Sequence, residues 1–492
     1  MCGALTVALL YSVNLRLFQR PLIAAAAALL FGLAREIWAQ AVVAEVYTLH
    51  TALIAAILLL VVWRESDHAA RGWKPSGYVE KPINPLEEGW KLTRSAFSTG
   101  FQQQGDDAFL YPAPRTFFAA PFEGAYHFYR SWRAFSLQRH RHDTISENTS
   151  KFIYPIALLF ALALANHMAA LLVAVILLPY LLWRTSWRLR IITLAIIAVT
   201  TALLYLYLPL RFTAQPAFNL VSQYFERDLT RPDDLLWMVS GRMFGREMLA
   251  YPLLDWLGEI GKFGGELWLN FLGVGVLAGL VGVYHLWQTR RSLCLLLAAI
   301  FAAQVLFFSS YNVFDKNTMF HTAYLVWAIF VAAGCIRLLD DLPRSVMYAF
   351  LGLLVIAQLV GNWNTVGRAG DTFVVDRTTA LLAALPPDAT LIGPWTAVRP
   401  LEYAQIVNDQ RHDVQIVDVT LLTLGERDRL GASFDALTEA VDARLNQVIA
   451  CAAAAVYVVD PAILDADLYP VQYVQSGLYR VTGFPPSDCA NE

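Results

Sequence analysis

Side chains that could move a proton or bind a polar substrate lie where an apolar segment of this sequence begins. Glu45 stands just before that segment, and Tyr47 and His50 follow within about one and a half helical turns. A carboxylate can accept a proton from a hydroxyl group, and ionisable groups near membrane depth usually line a functional cavity. A carboxylate there could instead only stabilise the helix N-terminus. We favour a functional role for Glu45, with Tyr47 and His50 beside it at the membrane border.

Two basic side chains stand at the ends of other apolar segments. His167 follows Asn166 in a turn between two apolar runs, where it either caps the helices or contacts a substrate. Arg211 ends the run LYLYLPLR, and its guanidinium fork suits an anionic ligand such as phosphate. Arg211 could also simply extend its charge from the apolar layer into water. Both residues are therefore candidates for binding a substrate, with a structural alternative for each.

A short polar connection, SSYNVFDKNTMFHT, contains Tyr311, Asp315, Lys316 and His321. Adjacent opposite charges such as those of Asp315 and Lys316 are usually a solvated turn. The connection faces the same predicted compartment as Glu45 and Arg211, which favours a site role for Tyr311 and Asp315.

Trp395 and Arg399 follow a predicted strand in the polar C-terminal part, within GPWTAVRPLEYAQ. They either close over a site or pack the small domain that contains them. The five cysteines show no metal-binding spacing, and no other ligand cluster predicts a metal site. Cys451 and Cys489 could form a disulfide if this part of the chain is extracytoplasmic.

The elements that must position these residues are membrane helices. The 492 residues are 57% hydrophobic and only 16% charged, whereas globular domains have roughly 25% charge. A net charge of -3 without a basic stripe gives no reason to expect a nucleic-acid partner. We predict an all-α membrane protein of about ten transmembrane helices, at residues 1–14, 21–34, 46–63, 152–165, 168–183, 191–208, 267–287, 293–308, 320–336 and 346–360.

Every second short connection between these segments is basic, and the positive-inside rule places those connections in the cytoplasm. They contain Arg16, Arg20, Arg64, Arg184, Arg188, Arg190, Arg290, Arg291, Arg337 and Arg344. The N-terminus and the C-terminal part are then extracytoplasmic, in a protein of the cytoplasmic (inner) membrane. An apolar segment that begins outside at Met1 itself predicts a truncation or internal start, with a helix missing upstream.

Composition divides the chain into four parts. Residues 1–64 contain the first three membrane helices, and 152–363 contain the remaining membrane core with an extracytoplasmic amphipathic segment at 211–266. Residues 65–151 are a cytoplasmic, aromatic-rich insertion, which either docks on the membrane or a protein partner or is an irregular loop. Residues 364–492 alternate β-like runs at 389–393, 414–419 and 453–459 with helical stretches, which indicates a small extracytoplasmic α/β domain.

Five stretches in this order resemble a bacterial multi-spanning membrane family formerly of unknown function. That family is related to the plexin-type protein O-mannosyltransferase and to the GT-C superfamily of glycosyltransferases. The resemblance covers nearly the whole chain except 65–151, and it rests on WAQAVVAEVYTLH, LALANHMAALL, YLYLPLR, SSYNVFDKNTMFHTAYLVWAIFVAAG and LPPDATLIGPWTAVRPLEYAQ.

The resemblance implies transfer of a sugar from a polyprenyl-phosphate donor to a protein or glycan hydroxyl at the extracytoplasmic face. It implies that Glu45 lines the catalytic cavity, that Arg211 faces the donor phosphate, and that Asp315 with Tyr311 lines the acceptor or sugar side. Catalysis is thus assigned to Glu45 and Asp315, and substrate binding to Tyr47, His50, His167, Arg211, Tyr311, Trp395 and Arg399. The resemblance implies no certain cofactor and leaves a divalent metal open.

The chain departs from the family pattern at its N-terminus. The family's first helix and its acidic first loop have no counterpart in this sequence, so the expected catalytic aspartate is absent. A truncated or inactive derivative that keeps the fold is therefore included in the leading hypothesis. A non-catalytic membrane subunit, with partner contacts through 65–151, is the alternative. A transporter is third, because the charged residues lie at outer borders and transport sites usually lie near the membrane midplane.

Overall fold

The structure, a computed structural model, describes residues 1–43, 46–72, 145–183, 185–313, 315–340, 342–368, 370–430, 434–464, 469–475 and 477–483. These residues are mostly helical, with one small sheet near the C-terminus. They form two compact units. Unit 1 comprises Met1–Ala198, Gly264–Gln304 and Thr318–Val360, and unit 2 comprises Val199–Phe263, Val305–Asn317 and Gly361–Glu492.

The apolar part of the chain forms helices that overlap the predicted segments, except that the predicted segment 267–287 is divided between two helices. They are α1 (Cys2–Phe18), α2 (Pro21–Gly32), α3 (Arg35–Ala41), α4 (Val46–Gly72), α5 (Ile145–Asn166), α6 (Ala170–Leu182), α7 (Trp187–Tyr205), α8 (Tyr207–Thr213), α9 (Leu220–Phe225), α10 (Pro232–Val239), α11 (Leu253–Asn270), α12 (Val274–Thr289), α13 (Arg291–Ser309), α14 (His321–Leu339) and α15 (Arg344–Val366). Short 3-10 turns lie between α10 and α11, at Arg242–Phe244, and between α13 and α14, at Lys316–Phe320.

Among the described residues, five helices are long and apolar enough to cross a membrane: Val46–Glu65, Trp187–Thr213, Arg291–Ser309, Lys316–Leu339 and Arg344–Val366. The count rises to 7 if the bent pairs α2 with α3 and α11 with α12 are each one span. The chain is therefore an integral, multi-pass membrane protein. Three further apolar helices, Cys2–Phe18, Lys151–Asn166 and Ala170–Leu182, are shorter, so the predicted count of about ten spans stays a prediction.

Helix α14 is the centre of unit 1. Every residue from His321 to Cys335 is buried, and α14 packs against α12, α2, α1 and α4. Two glycines allow the closest approach, since a Cβ atom on Gly334 would overlap the carbonyl oxygen of Ala278 and one on Gly282 would overlap that of Phe330. Small residues at such crossings let membrane helices pack backbone against backbone.

Unit 2 contains the sheet that the alternating C-terminal pattern predicts. Its strands are β1 (Thr390–Gly393), β2 (Gln415–Asp418), β3 (Val456–Val458), β4 (Val471–Gln475) and β5 (Leu478–Val481), in the order β2-β1-β3-β5-β4. The first three are parallel, and β5 and β4 are antiparallel additions. The helices of this part are α16 (Phe373–Ala384), α17 (Trp395–Asn408), α18 (Val419–Leu430) and α19 (Phe434–Ala450), with a 3-10 turn at Pro461–Ile463.

Each face of this sheet has its own apolar core, because side chains alternate along a strand. Leu391 packs with Leu381 of α16 and Leu401 of α17 on one face. Its neighbour Ile392 packs with Leu445 of α19 on the other. The arrangement is a small α/β module, as predicted. The predicted domain boundaries stay predictions, and residues 73–144 of the predicted insertion lie outside the described residues.

Candidate functional site

Three of the predicted site residues lie together in unit 1, at the start of α4 and in the turn between α5 and α6. The ring centroids of Tyr47 and His167 are 5.3 Å apart, and those of His50 and His167 are 5.5 Å apart. Asn166 ends α5 and donates a hydrogen bond of 3.0 Å to the carbonyl oxygen of Val46, which holds the turn against α4. The two apolar hairpins thus bring residues 120 positions apart in sequence to one place.

His321, the first residue of α14, completes this group. Its ring centroid lies 6.2 Å from that of Tyr47, and the hydroxyl of Thr322 lies 3.4 Å from Nε2 of His50. We call Tyr47, His50, His167 and His321 the histidine cluster. The sequence named His321 only as a member of a polar turn, because nothing in the sequence indicates that the start of α14 meets the start of α4.

Two ring nitrogens of the histidine cluster are buried without a partner. His50 is 4% exposed and His321 is 2% exposed, and Nδ1 of His50 and Nε2 of His321 make no hydrogen bond within the described residues. A buried polar atom left unsatisfied costs about 1–3 kcal/mol, so native proteins nearly always give it a partner. Two such atoms in one cluster are available to bond a polar ligand.

Two carboxylates lie near the same part of unit 1, where two helix pairs bend. The α2 and α3 axes differ by 70°, and those of α11 and α12 by 106°. Asn270, fully buried at the second bend, accepts a hydrogen bond of 3.0 Å from the amide of Glu36 in α3 and one of 2.6 Å from Nε2 of Gln358. Glu36 and Glu266 are close enough to interact electrostatically with each other and with the buried Tyr324.

Neither Glu36 nor Glu266 is assigned a role from the sequence alone. The signal for Glu36 is the charged pair Arg35-Glu36 between two apolar stretches. No feature of the sequence indicates that Glu266 lies at a bend. The turn after α11 that places it there depends on positive φ angles of 55° at Leu272 and 63° at Gly273. Only glycine adopts this conformation without strain, so a leucine there gives no warning of a bend.

Part of the chain matches a known family. Residues 3–78 match the family described as the protein O-mannosyl-transferase TMEM260 N-terminal domain. This TMEM260-type stretch contains α1 to α3, Glu36, and the residues of α4 that supply Tyr47 and His50 to the histidine cluster. No curated protein and no solved structure matches the chain. The match supports an O-mannosyltransferase-related domain at the N-terminus, as the resemblance implied.

Glu45, the predicted catalytic residue within the TMEM260-type stretch, lies outside the described residues. Its role stays a prediction. The residues on either side of the gap, Val43 and Val46, are both exposed.

Arg211 lies in unit 2, in the last turn of α8. It is exposed, and its only hydrogen bond within the described residues is a long one of 3.5 Å from NH2 to the carbonyl oxygen of Phe218. Most of its guanidinium donors are therefore accessible to a ligand. Its predicted phosphate contact stays a prediction that this geometry supports.

Tyr311 and Asp315, also in unit 2, differ sharply in environment. Tyr311 is 7% exposed, and burial, with a smaller effect of Asp315 and Glu247, raises its pKa to about 12. Its phenol therefore stays protonated at physiological pH. Asp315 is exposed. Its neighbour Lys316 forms an ion pair with Glu259 of α11, and its Nζ lies 4.9 Å from the centroid of the Tyr251 ring. The Lys316 ammonium group therefore holds this loop against α11.

Trp395 and Arg399, predicted to bind substrate, lie on α17 at the carboxyl end of β1. Nε of Arg399 donates a hydrogen bond of 3.1 Å to Asp418, another nitrogen bonds to Glu402, and the guanidinium stacks 4.3 Å from the Trp395 ring. Two carboxylates thus share one guanidinium. Burial, more than the neighbouring Asp418, raises the pKa of Glu402 to about 7 despite the opposing effect of Arg399. This geometry favours a structural role, and the substrate role of both residues stays a prediction.

In the part of the chain that the structure describes, no three His, Cys, Asp or Glu residues are arranged to hold a metal ion. Cys2, Cys294 and Cys335 have free thiols. The predicted pairing of Cys451 with Cys489 involves a residue outside the described ranges and stays a prediction.

Proposed function

We propose that this chain is a GT-C-like membrane glycosyltransferase. It transfers a sugar from a polyprenyl-phosphate donor to a protein or glycan hydroxyl on the extracytoplasmic face. One observation carries the proposal: the stretch that matches an O-mannosyl-transferase domain supplies Tyr47 and His50 to a buried cluster with two unsatisfied ring nitrogens. The match supports the enzyme class, and the cluster supports a polar ligand.

The chemistry of the histidine cluster suits a sugar. A neutral imidazole offers one donor and one acceptor, and sugar hydroxyl groups need both. In our proposal, Nδ1 of His50 and Nε2 of His321 bond to sugar hydroxyls, while the rings of Tyr47 and His167 form an apolar wall against the sugar. Hydrogen bonds in such a water-poor site discriminate strongly against ligands that lack the hydroxyl group.

Transfer also requires a base for the acceptor hydroxyl and a group that stabilises the leaving phosphate. Glu36, half-buried and interacting with Glu266, joins Glu45 and Asp315 as a candidate base. Arg211 remains the candidate phosphate ligand. Membrane lipids, the lipid-linked donor and a hydroxyl acceptor are the proposed partners, and residues 65–151 are proposed to contact a further protein.

The proposal is tested with the purified full chain in liposomes that contain radiolabelled polyprenyl-phosphate mannose and a serine- and threonine-rich acceptor peptide. We expect mannose transfer to the peptide, and a loss of about tenfold or more for His50→Gln and His321→Gln, because each removes a hydrogen bond in a buried site. His285→Gln, a half-exposed histidine of α12 outside the cluster, is the matched control and should transfer normally.

Transfer by all three variants at the wild-type rate would contradict the role of the cluster. Donor binding without transfer by the wild type would favour the non-catalytic subunit instead.

A transporter is a second candidate, for one specific reason. Discontinuous helices beside buried polar residues often form transport sites, and both helix bends here meet at the buried Asn270, near Glu36 and Glu266. Uptake of a labelled sugar into sealed liposomes, abolished by Asn270→Ala and independent of any lipid donor, would favour transport over glycosyl transfer.

A further inference from the structure

A second site lies in unit 1, away from the histidine cluster, where two helix connections meet. One connection joins α1 to α2 at Gln19 and Arg20, and the other joins α14 to α15 between Asp340 and Arg344. Between them lies a cavity of about 410 Å³. This volume is within the range of small-molecule pockets, roughly 300–1,000 Å³. Because both connections follow apolar helices, the cavity lies at the membrane border.

The polar lining of the cavity has a net charge of one positive among its described residues. Arg20 and Asp340 form an ion pair with 2.6 Å between NH2 and Oδ1, which leaves the charge of Arg344 uncompensated. The Arg344 side chain has no hydrogen bond or ion pair within the described residues. Tyr348 follows one turn later on the same face of α15 and lines the same cavity.

Apart from the neutral Gln19, the rest of the lining is apolar. Leu22 is 47% exposed, and Ile23, Leu339 and Met347 line the same cavity. Arg344 and Tyr348 can bind the polar headgroup of a phospholipid, and the apolar wall of the same cavity can bind its acyl chains. The net charge of one positive among the described lining residues matches the single negative charge of a phosphodiester.

We propose that this cavity binds the phosphodiester headgroup of an anionic phospholipid of the surrounding membrane, with Arg344 and Tyr348 on the phosphate. The acyl chains lie along Leu22 and Met347. The ion pair of Arg20 with Asp340 forms the polar wall of the cavity. This site is independent of sugar transfer, so its failure and that of the proposed function are separate results.

The test uses the full chain, stripped of lipid in detergent and titrated with phosphatidylglycerol, with bound lipid counted by native mass spectrometry. We expect Arg344→Gln to weaken binding of one lipid about tenfold, the effect of losing one charge-assisted hydrogen bond. Arg290→Gln is the matched control, because Arg290 is also exposed at a helix connection but does not line the cavity. It should leave binding unchanged.

An equal loss for both variants would mean general surface attraction and would overturn the proposal. Met347→Trp gives a second arm that keeps both arginines and fills the cavity, and it should also weaken lipid binding. Unchanged binding in a folded, monodisperse Met347→Trp protein would contradict the site. Displacement of the lipid by millimolar inorganic phosphate would assign the site to a free anion and overturn the lipid assignment.

Discussion

At the scale of single residues, the structure separates polar groups that lack a partner from those that already have one. Nδ1 of His50 and Nε2 of His321 are buried and unsatisfied within the described residues, so a ligand is the simplest partner for them. Arg399 is the opposite case, because its guanidinium already bonds to Asp418 and Glu402. The sequence alone treated His50 and Arg399 alike as candidates, since residue type does not reveal the partner.

The raised pKa of Glu402, which contacts Arg399, predicts that the stability of this part of the protein depends on pH. Glu402 keeps its proton in the folded protein up to about pH 7 but loses it near pH 4.5 when unfolded. The protonated Glu402 therefore contributes fully to the free energy of unfolding below pH 4.5. This contribution is lost as the pH rises through 7. Glu402→Gln has no proton to lose, so α17 should gain ~1–3 kcal/mol relative to wild type between pH 5 and 8.

Hydrogen exchange of the α17 amides, corrected for intrinsic rates, measures this difference. Glu439→Gln changes an exposed glutamate of α19 that has no ion pair among the described residues, and it should show the wild-type pH dependence. An unaltered pH dependence in Glu402→Gln would contradict the raised pKa.

Sequence predicted the histidine cluster in part. Tyr47, His50 and His167 were recognised because polar side chains interrupt apolar runs, and the structure places the ring centroids of Tyr47 and His50 at 5.3 Å and 5.5 Å from that of His167. His321 and Glu266 were not assigned roles, since their positions depend on contacts between helices far apart in the chain. Periodicity and composition contain no information about such contacts.

At the scale of elements, apolar runs predicted helices well but not their bends. The predicted segment at 267–287 proved to be the end of α11, a turn and then α12, because Leu272 and Gly273 adopt positive φ. In the C-terminal part, the β-like runs at 389–393, 414–419 and 453–459 agree with β1, β2 and β3. The hairpin of β4 and β5 was not predicted, because its outward side chains give no apolar run.

The crossing of α12 and α14 gives a prediction at this scale. Gly334→Ala should lower the free energy of unfolding by about 1–3 kcal/mol, because the added methyl overlaps the backbone of α12. Gly352→Ala in α15 meets open space and should be neutral or slightly stabilising. Thermal unfolding in detergent compares the two variants, and equal unfolding midpoints would argue against the close crossing.

At the scale of the whole molecule, the membrane orientation still rests on the pattern of basic connections. In a cysteine-free background, His412→Cys should react with a membrane-impermeant maleimide on intact cells, since His412 is exposed in the C-terminal α/β module. Arg290→Cys should react only after permeabilisation, because the positive-inside rule places Arg290 in the cytoplasm. The reverse labelling pattern would invert the assigned sides of the membrane.

The central claim is that a lipid-linked sugar binds the histidine cluster, and thermal unfolding tests it most directly. Purified full chain is melted with polyprenyl-phosphate mannose and with bare polyprenyl phosphate. A ligand at a hundredfold excess over its dissociation constant stabilises by about 2.7 kcal/mol. We expect the larger stabilisation with the mannose-bearing donor, its loss in His50→Gln and His321→Gln, and its retention in His285→Gln. Equal stabilisation by both lipids in all of these proteins would contradict the claim.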